Sequence, residues 1–369
     1  MGDSLRILHV LRAPVGGLFR HVADLAAAQA ARGHAVGLVL DSTTGGAAAE
    51  SMLQALAPVA ALGIHRLPMS RHLGLSDFGA LRAVAARARE SNADVLHGHG
   101  AKGGAYARLA GTGTLRVYTP HGGSLHYGGA SPLGLLYLNL ERALSARTDL
   151  FLFESAYALA VFRAKIGAPR ALARVVHNGV RPEELLPVAP DADAADVVFV
   201  GELRRLKGVD LLIEALSRLL GEERIERAIL FGDGPEAAAY RAEVERRGLS
   251  AHVQFGGVQP ARAAFRRGRV LAVPSRAESL PYIVLEAAAA SVPLVATRVG
   301  GIAEIFGPDA TALVPPEDPV ALARAILEAL EGGAVLRTKR LRERVGSAFT
   351  VDAMAEGALA AYRESLAAK

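Results

Sequence analysis

The sequence predicts an α/β protein built from two doubly wound domains. Three observations predict it. Apolar strand-like runs alternate with amphipathic helical stretches, as a parallel sheet covered on both faces requires. The alternation breaks at one polar, proline-bearing segment and then restarts. The chain has 369 residues, more than one core usually holds.

In the first half, RILHVL is strand-like, HVADLAAAQAARG is helical and ends at Gly33, and AVGLVL is strand again. DVLHGH and RVYTPHG are two further strand ends, each followed by glycine. DLFLFES and ARVVHNGV close the half. The segment from Arg181 to Asp196, RPEELLPVAPDADAAD, is expected to be an interdomain linker. Beyond it DVVFVGEL, RAILFGDG, HVQFGGV, RVLAVPS and PLVATRVGG are strands. VDLLIEALSRLL is a helix, ESLPYIVLEAAAAS includes one, and Asp318 and Pro319 suit the N-cap and N1 of another through Ala329. The last helix, from about Val351 to Ala367, has no strand after it. The expected domains are 1–183 and 184–350, with 351–369 packing back on the first. Ligands then belong at the carboxyl ends of the strands, facing a cleft between the domains.

Composition narrows the function. The chain is 51% hydrophobic and 21% charged, which fits a globular enzyme. It has no cysteine, so neither a disulfide nor a thiolate metal site is available, which is compatible with the cytoplasm. The opening MGDSLRILHVL reads as a first strand and not as a signal peptide, and no apolar run is long enough to span a membrane. The net charge of +5 is uneven: residues 1–185 carry 19 Lys and Arg against 12 Asp and Glu. A basic first half suits an anionic surface, but no aromatics interleave with the basic residues, which argues against nucleic acid.

Several strand ends carry groups suited to anions. Gly16 and Gly17 lie between the first strand and the first helix, where the backbone can approach a ligand and amides point at it. At the equivalent place in the second half, VGELRRLKGVD brings Arg204, Arg205 and Lys207 just before a helix. These cations suit a diphosphate. GDGPEA imitates a dinucleotide fingerprint but lacks the acidic residue that would hold a ribose. Asp191 and Asp193 imitate a metal-binding pair but lie in the expected linker. His97 and His99 have metal-like spacing, with no third ligand that the sequence places, so structural or acceptor-side roles are expected. The stretch ESLPYIVLEA sets one carboxylate, Glu278, in the loop after a strand, and a second, Glu286, within the following helix. Pro281 falls near helix position N1, and the amides of Ser279, Leu280 and Tyr282 lie at the helix start. Two such carboxylates suit two sets of hydroxyl groups. Without the matching context Glu286 better suits a helix glutamate paired with an arginine, and His121 also suits a satisfied histidine at a strand end.

The order of VGG, TPHG, HNGV, VGELRRLKGVDLLIEAL, FGDGP, PSRAESLPYIVLEAAA and VATRVGGIAEI resembles the retaining glycosyltransferases of family 4, which have the GT-B fold. The resemblance spans most of the chain and is strongest in the second half. It implies that Glu278 contacts hydroxyls of a donor sugar and Glu286 the ribose of a nucleotide. It implies that the backbone of Ser279, Leu280, Pro281 and Tyr282 meets sugar and phosphate, and that Lys207 binds phosphate. Glu202 stands where the family often has arginine, so Arg204 or Arg205 is left to take that role. His121 matches an active-site histidine near the transferred sugar, and Gly16 and Gly17 the loop over the diphosphate. Gly300, Gly301 and Glu304 match a signature read as structural. The implied activity is transfer of a hexosyl unit from a UDP-, GDP- or ADP-sugar, with retention and by same-face attack, to a glycan or lipid-linked acceptor. The implied setting is cytoplasmic assembly of bacterial cell-surface polysaccharide or glycolipid. No cofactor and no metal are expected. A GT-B-type epimerase and a non-catalytic nucleotide-sugar binding protein are the rival readings. A phosphorylase would need a cofactor lysine or an extra phosphate site, and the sequence offers neither. LGLLYLNLERALSA, from Leu133 to Ala146, is expected to be a buried core helix; its apolarity also permits peripheral membrane contact through the first domain.

Overall fold

The computed structural model describes residues 4–111, 113–122 and 131–369. Met1 to Asp3 of the opening stretch lie outside them. The chain forms two compact units, residues 1–178 with 351–369, and residues 179–350.

In the first unit the order is β1 (Arg6–Leu11), α1 (Gly16–Ala31), β2 (Ala35–Asp41), α2 (Gly46–Leu56), β3 (Ile64–Leu67), α3 (Ser76–Glu90) and β4 (Val95–His99). There follow α4 (Gly100–Ala110), β5 (Leu115–Thr119), α5 (Pro132–Ser145), β6 (Leu150–Phe153), α6 (Ala156–Lys165) and β7 (Leu172–Val175). The second unit runs β8 (Ala195–Val200), α7 (Val209–Gly221), β9 (Ala228–Phe231), α8 (Ala237–Arg246), β10 (Val253–Gly257), α9 (Ala261–Arg266) and β11 (Gly268–Val273). It continues with α10 (Tyr282–Ala289), β12 (Leu294–Ala296), α11 (Ile302–Phe306), α12 (Pro319–Leu330) and α13 (Val335–Ala348). The last helix, α14 (Val351–Ala367), belongs to the first unit, where it packs on α1, β5 and β6.

Each unit has one parallel sheet, ordered β3-β2-β1-β4-β5-β6-β7 and β10-β9-β8-β11-β12. Strands buried on both faces must be apolar along their whole length. β1 obeys this with Ile7, Leu8, Val10 and Leu11 all fully buried; the exceptions are half-buried Arg6 at its start and buried His9 within it. The core of the first unit has two layers, α1 and α14 on one face of the sheet and α3 and α4 on the other. The second unit repeats the plan, with α10 and α13 on one face and α7, α8 and α12 on the other. In α7, Leu212, Ile213, Leu216 and Leu219 fall on one face and are buried, each by roughly 1.5–3 kcal/mol of transfer.

The strand order reverses between β1 and β4 in the first unit and between β8 and β11 in the second. Loops leaving adjacent strands in opposite directions open a crevice there, at the carboxyl ends. Both candidate sites lie at these switch points.

The segment 181–196 differs from the linker expected of it. Pro182–Leu185 forms a 3-10 turn against α10, the amide of Val188 donates to Ala290, and that of Asp191 to Arg266. Asp191 pairs with Arg266 at 2.6 Å, and Asp193 with Arg267 at 3.2 Å. Those carboxylates therefore serve packing on the second unit. The helix α5 also differs from expectation. Its Leu138, Glu141 and Leu144 are buried, but Leu133, Leu135 and Leu136 are each about half exposed, so it is not a buried core helix. Pro281 is the N-cap of α10, not its first residue, because its extended ψ of 125° precedes the helix.

Candidate functional site

In the second unit, the loop after β8 and the loop after β11 meet at the switch point. Lys207 Nζ donates to Glu278 Oε1 at 2.7 Å, and Ser275 Oγ donates to the same oxygen at 2.7 Å. Glu278 is nearly buried and Lys207 partly so. Glu278 Oε2 makes no hydrogen bond among the described residues, so one lone-pair face of a fixed carboxylate remains for a ligand hydroxyl. Glu286 lies five residues into α10 and is half-buried. Ser279 and Tyr282 lie between the two glutamates, with Leu280 buried beneath them.

Two glycines allow this geometry. Gly208, at φ +68°, caps the Lys207 turn, and a Cβ there would lie 2.0 Å from the Pro274 carbonyl. Gly300, at φ +58°, would place a Cβ 1.8 Å from the Glu278 carbonyl, and the Gly301 amide donates to Ser279 O at 2.7 Å. The Gly300–Gly301 turn thus braces the backbone of Glu278, in line with the structural role read for it.

Sequence reasoning missed Arg276. It donates to both carboxylate oxygens of Asp210 and of Glu317, and to the Arg205 carbonyl at 2.8 Å, while its own amide donates to Leu206 O. These bonds raise its pKa further above the ordinary arginine value, the Asp210 bond being the largest cause. Arg276 bolts the lysine loop to the glutamate loop. Its signal was the acidic residue in the first turn of the helix after Lys207, which had no stated partner. Arg204 and Arg205 are exposed. Arg204 pairs with Glu202 at 3.3 Å, whereas the Arg205 side chain has no partner among the described residues. An exposed pair of this kind is worth little, so it does not choose between them. The FGDGP turn hydrogen-bonds to the 201–203 loop through Gly201, Leu203 and Glu236, which makes it a brace for the same switch point.

In the first unit, the third ligand that His97 and His99 lacked in the sequence is present in triplicate. His9, His97 and His99 converge from adjacent strands, and His21 and His121 join His99, the ligating atoms of each trio lying within 4.8 Å of one another. These nitrogens are already engaged. Gln29 Oε1 lies 2.8 Å from His9 Nε2, His9 Nδ1 lies 3.0 Å from His99 Nε2, and His99 Nδ1 lies 3.1 Å from His121 Nε2. An amide oxygen can only accept, so His9 carries its proton on Nε2. Each neutral ring then accepts on Nδ1 from the next, which fixes His121 with its proton on Nε2 and a bare Nδ1. His97 bridges Tyr362 at 2.7 Å and Thr119 at 2.8 Å, and His21 Nδ1 meets Asn178 Oδ1 at 2.9 Å. Burial lowers every one of these pKa values. His9 falls to about 4, His21 and His121 to about 3, and His97 and His99 well below the usual range. His121 sits at φ +51°, a left-handed conformation costly for a non-glycine residue and held by its surroundings.

His99 and His121 open onto a cavity of about 370 Å³ lined also by Arg12, Arg71, Lys102 and Tyr137. Gly16 begins α1 at φ +62°, and Gly17 follows in its first turn. The neighbouring Val15 and Leu18 line the cavity.

Comparison with known proteins gives the family and the fold. The family model described as Glycosyltransferase Family 4 matches residues 15–184, and that described as Glycosyl transferases group 1 matches residues 194–332. The putative glycosyltransferase EpsD of Bacillus subtilis is 30% identical over 293 residues, covering 71% of this chain and 75% of that protein. A D-inositol 3-phosphate glycosyltransferase of Jonesia denitrificans is 32% identical over 194 residues, covering 49% of this chain and 45% of that protein. Among solved structures, a sucrose-phosphate synthase from Thermosynechococcus elongatus superposes with a TM-score of 0.81 at 23% identity, covering 99% of this chain and 100% of that one. HepE from Anabaena, in complex with UDP-glucose, superposes with a TM-score of 0.79 at 20% identity and covers the same shares. These structures establish the GT-B fold.

Proposed function

We propose that this chain, which belongs to the group 1 glycosyltransferases of family 4, moves a hexosyl unit from a nucleotide diphosphate sugar to a glycan or lipid-linked acceptor, with retention of configuration. The observation that carries the reading is the Lys207–Glu278 pair at the switch point of the second unit, with Glu286 in the helix that follows. In this reading Glu278 orients the donor sugar through its uncommitted oxygen, Glu286 accepts from the ribose hydroxyls, and the Ser279–Tyr282 backbone meets sugar and phosphate. Lys207, with Arg204 or Arg205, stabilises the charge that grows on the departing diphosphate. The amides at Gly16 and Gly17 suit an anion as well. These cations make a metal unnecessary for the leaving group. His121 is neutral and fixed in one tautomer, so in this reading it offers developing positive charge a lone pair and not a cation.

In this reading the first unit's cavity takes the acceptor. HepE was solved with UDP-glucose, which supports a nucleotide-sugar donor here. The reading sets the enzyme in cytoplasmic synthesis of bacterial polysaccharide or glycolipid. None of the described helices is long and apolar enough to cross a membrane. Half-exposed Leu133, Leu135 and Leu136 favour peripheral contact with a lipid surface.

The test is a proton NMR assay with UDP-, GDP- and ADP-hexoses, with and without a bacterial lipid-linked glycan fraction. One α-linked donor should give an α-linked product. Lys207→Ala should slow transfer roughly 10²–10³-fold, as loss of one charge-stabilising group does. A β-linked product would overturn retention. Conversion of the donor to its epimer without acceptor would favour an epimerase, and binding without turnover a binding protein.

A further inference from the structure

The cavity of the first unit carries an unmatched positive charge beside His121. Its lining includes three cations, Arg12, Arg71 and Lys102. Lys102 is neutralised by Asp77, which also accepts from Tyr106. Among the described residues the one carboxylate that lines the cavity, Glu141, is turned into the core, where Arg108 and Tyr118 hold it. The side chains of Arg12 and Arg71 have no hydrogen bond or ion pair to any described residue. Arg12 is half-buried in the loop after β1, and Arg71 is exposed in the loop before α3. Both α1 and α4 begin at this cavity, at Gly16 and Gly100, so two further sources of positive potential converge there. Part of the wall is apolar, built from Leu18, Leu73, Tyr137 and Leu140.

Two forked guanidiniums left without a carboxylate, at the edge of a partly apolar cavity, match the geometry of a phosphate or diphosphate. Simple hydroxyl recognition needs no such charge; amide and carboxylate side chains serve it at less cost in repulsion. We propose that the acceptor of this enzyme bears a phosphate or diphosphate group, which Arg12 and Arg71 clasp so that the accepting hydroxyl is presented at His121. The inference rests on the reading of this cavity as the acceptor site. Two sources share the chemistry, a lipid-linked diphosphate and a water-soluble sugar phosphate. The apolar wall, and the exposure of Leu73 at 48%, Leu75 at 86% and Phe78 at 66% beside Arg71, favour the first.

Calorimetry on the whole chain tests this, with saturating UDP present so that any donor diphosphate site is filled. The probes are farnesyl diphosphate, glucose 1-phosphate and methyl α-glucoside. At least one phosphorylated probe should bind, and the neutral glycoside should bind at least tenfold more weakly. Arg12→Gln and Arg71→Gln should each weaken the phosphorylated probe roughly tenfold, the loss of one charge-assisted bond, and more together. Affinity for UDP and the circular dichroism spectrum, read on the same samples, report folding. Binding of farnesyl diphosphate alone assigns the phosphate to a lipid carrier; equal binding of glucose 1-phosphate assigns it to a soluble acceptor. Equal affinity for the neutral glycoside, unchanged affinity in the double variant, or no binding of either phosphorylated probe would overturn the proposal. Failure of UDP to bind while the phosphorylated probes respond to both arginines would overturn the donor reading and leave this one standing.

Discussion

At the scale of the residue, the histidine cluster sets the pH behaviour of the protein. The unfolded chain takes up these protons near the ordinary histidine pKa of 6.5, while folded His9 resists until about 4 and His21 and His121 until about 3. The neutral rings therefore contribute stability that is fully present above pH 6.5 and is lost as the pH falls towards 4. Each such ring adds a slope of about 1.4 kcal/mol per pH unit in that window. Melting temperature measured from pH 7.5 to 4.5 should be flat at first and then fall steeply below 6.5, and His9→Asn should flatten that fall. A wild-type profile level down to pH 5 would contradict the buried neutral chain. The cluster was only partly legible in the sequence. His97 and His99 stood out by spacing, but His9 and His21 are isolated in their own elements, and only the pairing of β1 with β4 and the packing of α1 bring them in. Glu278 and Glu286 were legible because one short motif carries both, and Lys207 because a basic loop stands just before a helix in the same unit.

At the scale of the element, two locks hold the sites. The first is the buried pair Arg108–Glu141 at 2.9 Å, which ties α4 to α5, with the guanidinium also 3.8 Å over the Tyr118 ring. Removing one partner strands the other charge in the core. Glu141→Leu should destabilise by about 3–5 kcal/mol, and the double variant Arg108→Met with Glu141→Leu by distinctly less. Urea unfolding measures both; a double variant worse than the single would contradict the view that the stranded charge is the cost. The second lock is the Gly300 turn against Glu278. Gly300→Ala must relieve both a left-handed φ and a Cβ 1.8 Å from a carbonyl, a strain of about 1–3 kcal/mol. It should weaken a nucleotide sugar more than the bare nucleotide, because the displaced residue is the one assigned to the sugar. Equal weakening of both would move Glu278 away from that role. The first lock was not legible: α5 reads as largely apolar, and its single glutamate gives no hint that it faces inward. Of the second, Gly300 and Gly301 were legible as structural, but not their contact with Glu278. The strands were legible almost throughout, since parallel strands buried on both faces announce themselves as apolar runs. β3 escaped because its four residues, IHRL, are half-exposed and half-polar at the sheet edge.

At the scale of the whole molecule, one plan is used twice, and each copy presents its loops at a switch point. The proposed division of labour follows from what those loops carry: paired lysine and glutamates in the second unit, neutral histidines and unpaired arginines in the first. The return of the chain to the first unit through α14 is part of the plan. Tyr362 of that helix closes the histidine cluster from behind, 2.7 Å from His97. The repeat and the final helix were legible from the restart of the alternation and from a terminal helix with no strand after it. The divide itself was less so, because the proline-rich segment that reads as a linker is docked on the second unit by arginines far away in sequence. The central claim is that the second unit holds a nucleotide sugar between Glu278 and Glu286. The most direct measurement is calorimetric titration of UDP, GDP and ADP, and of their glucose conjugates, into wild type and Glu286→Ala. One nucleotide should bind to the wild type, and the substitution should weaken it about tenfold or more, as loss of a hydrogen-bonded charge does. Binding of no nucleotide to either protein, or binding indifferent to Glu286, would contradict it.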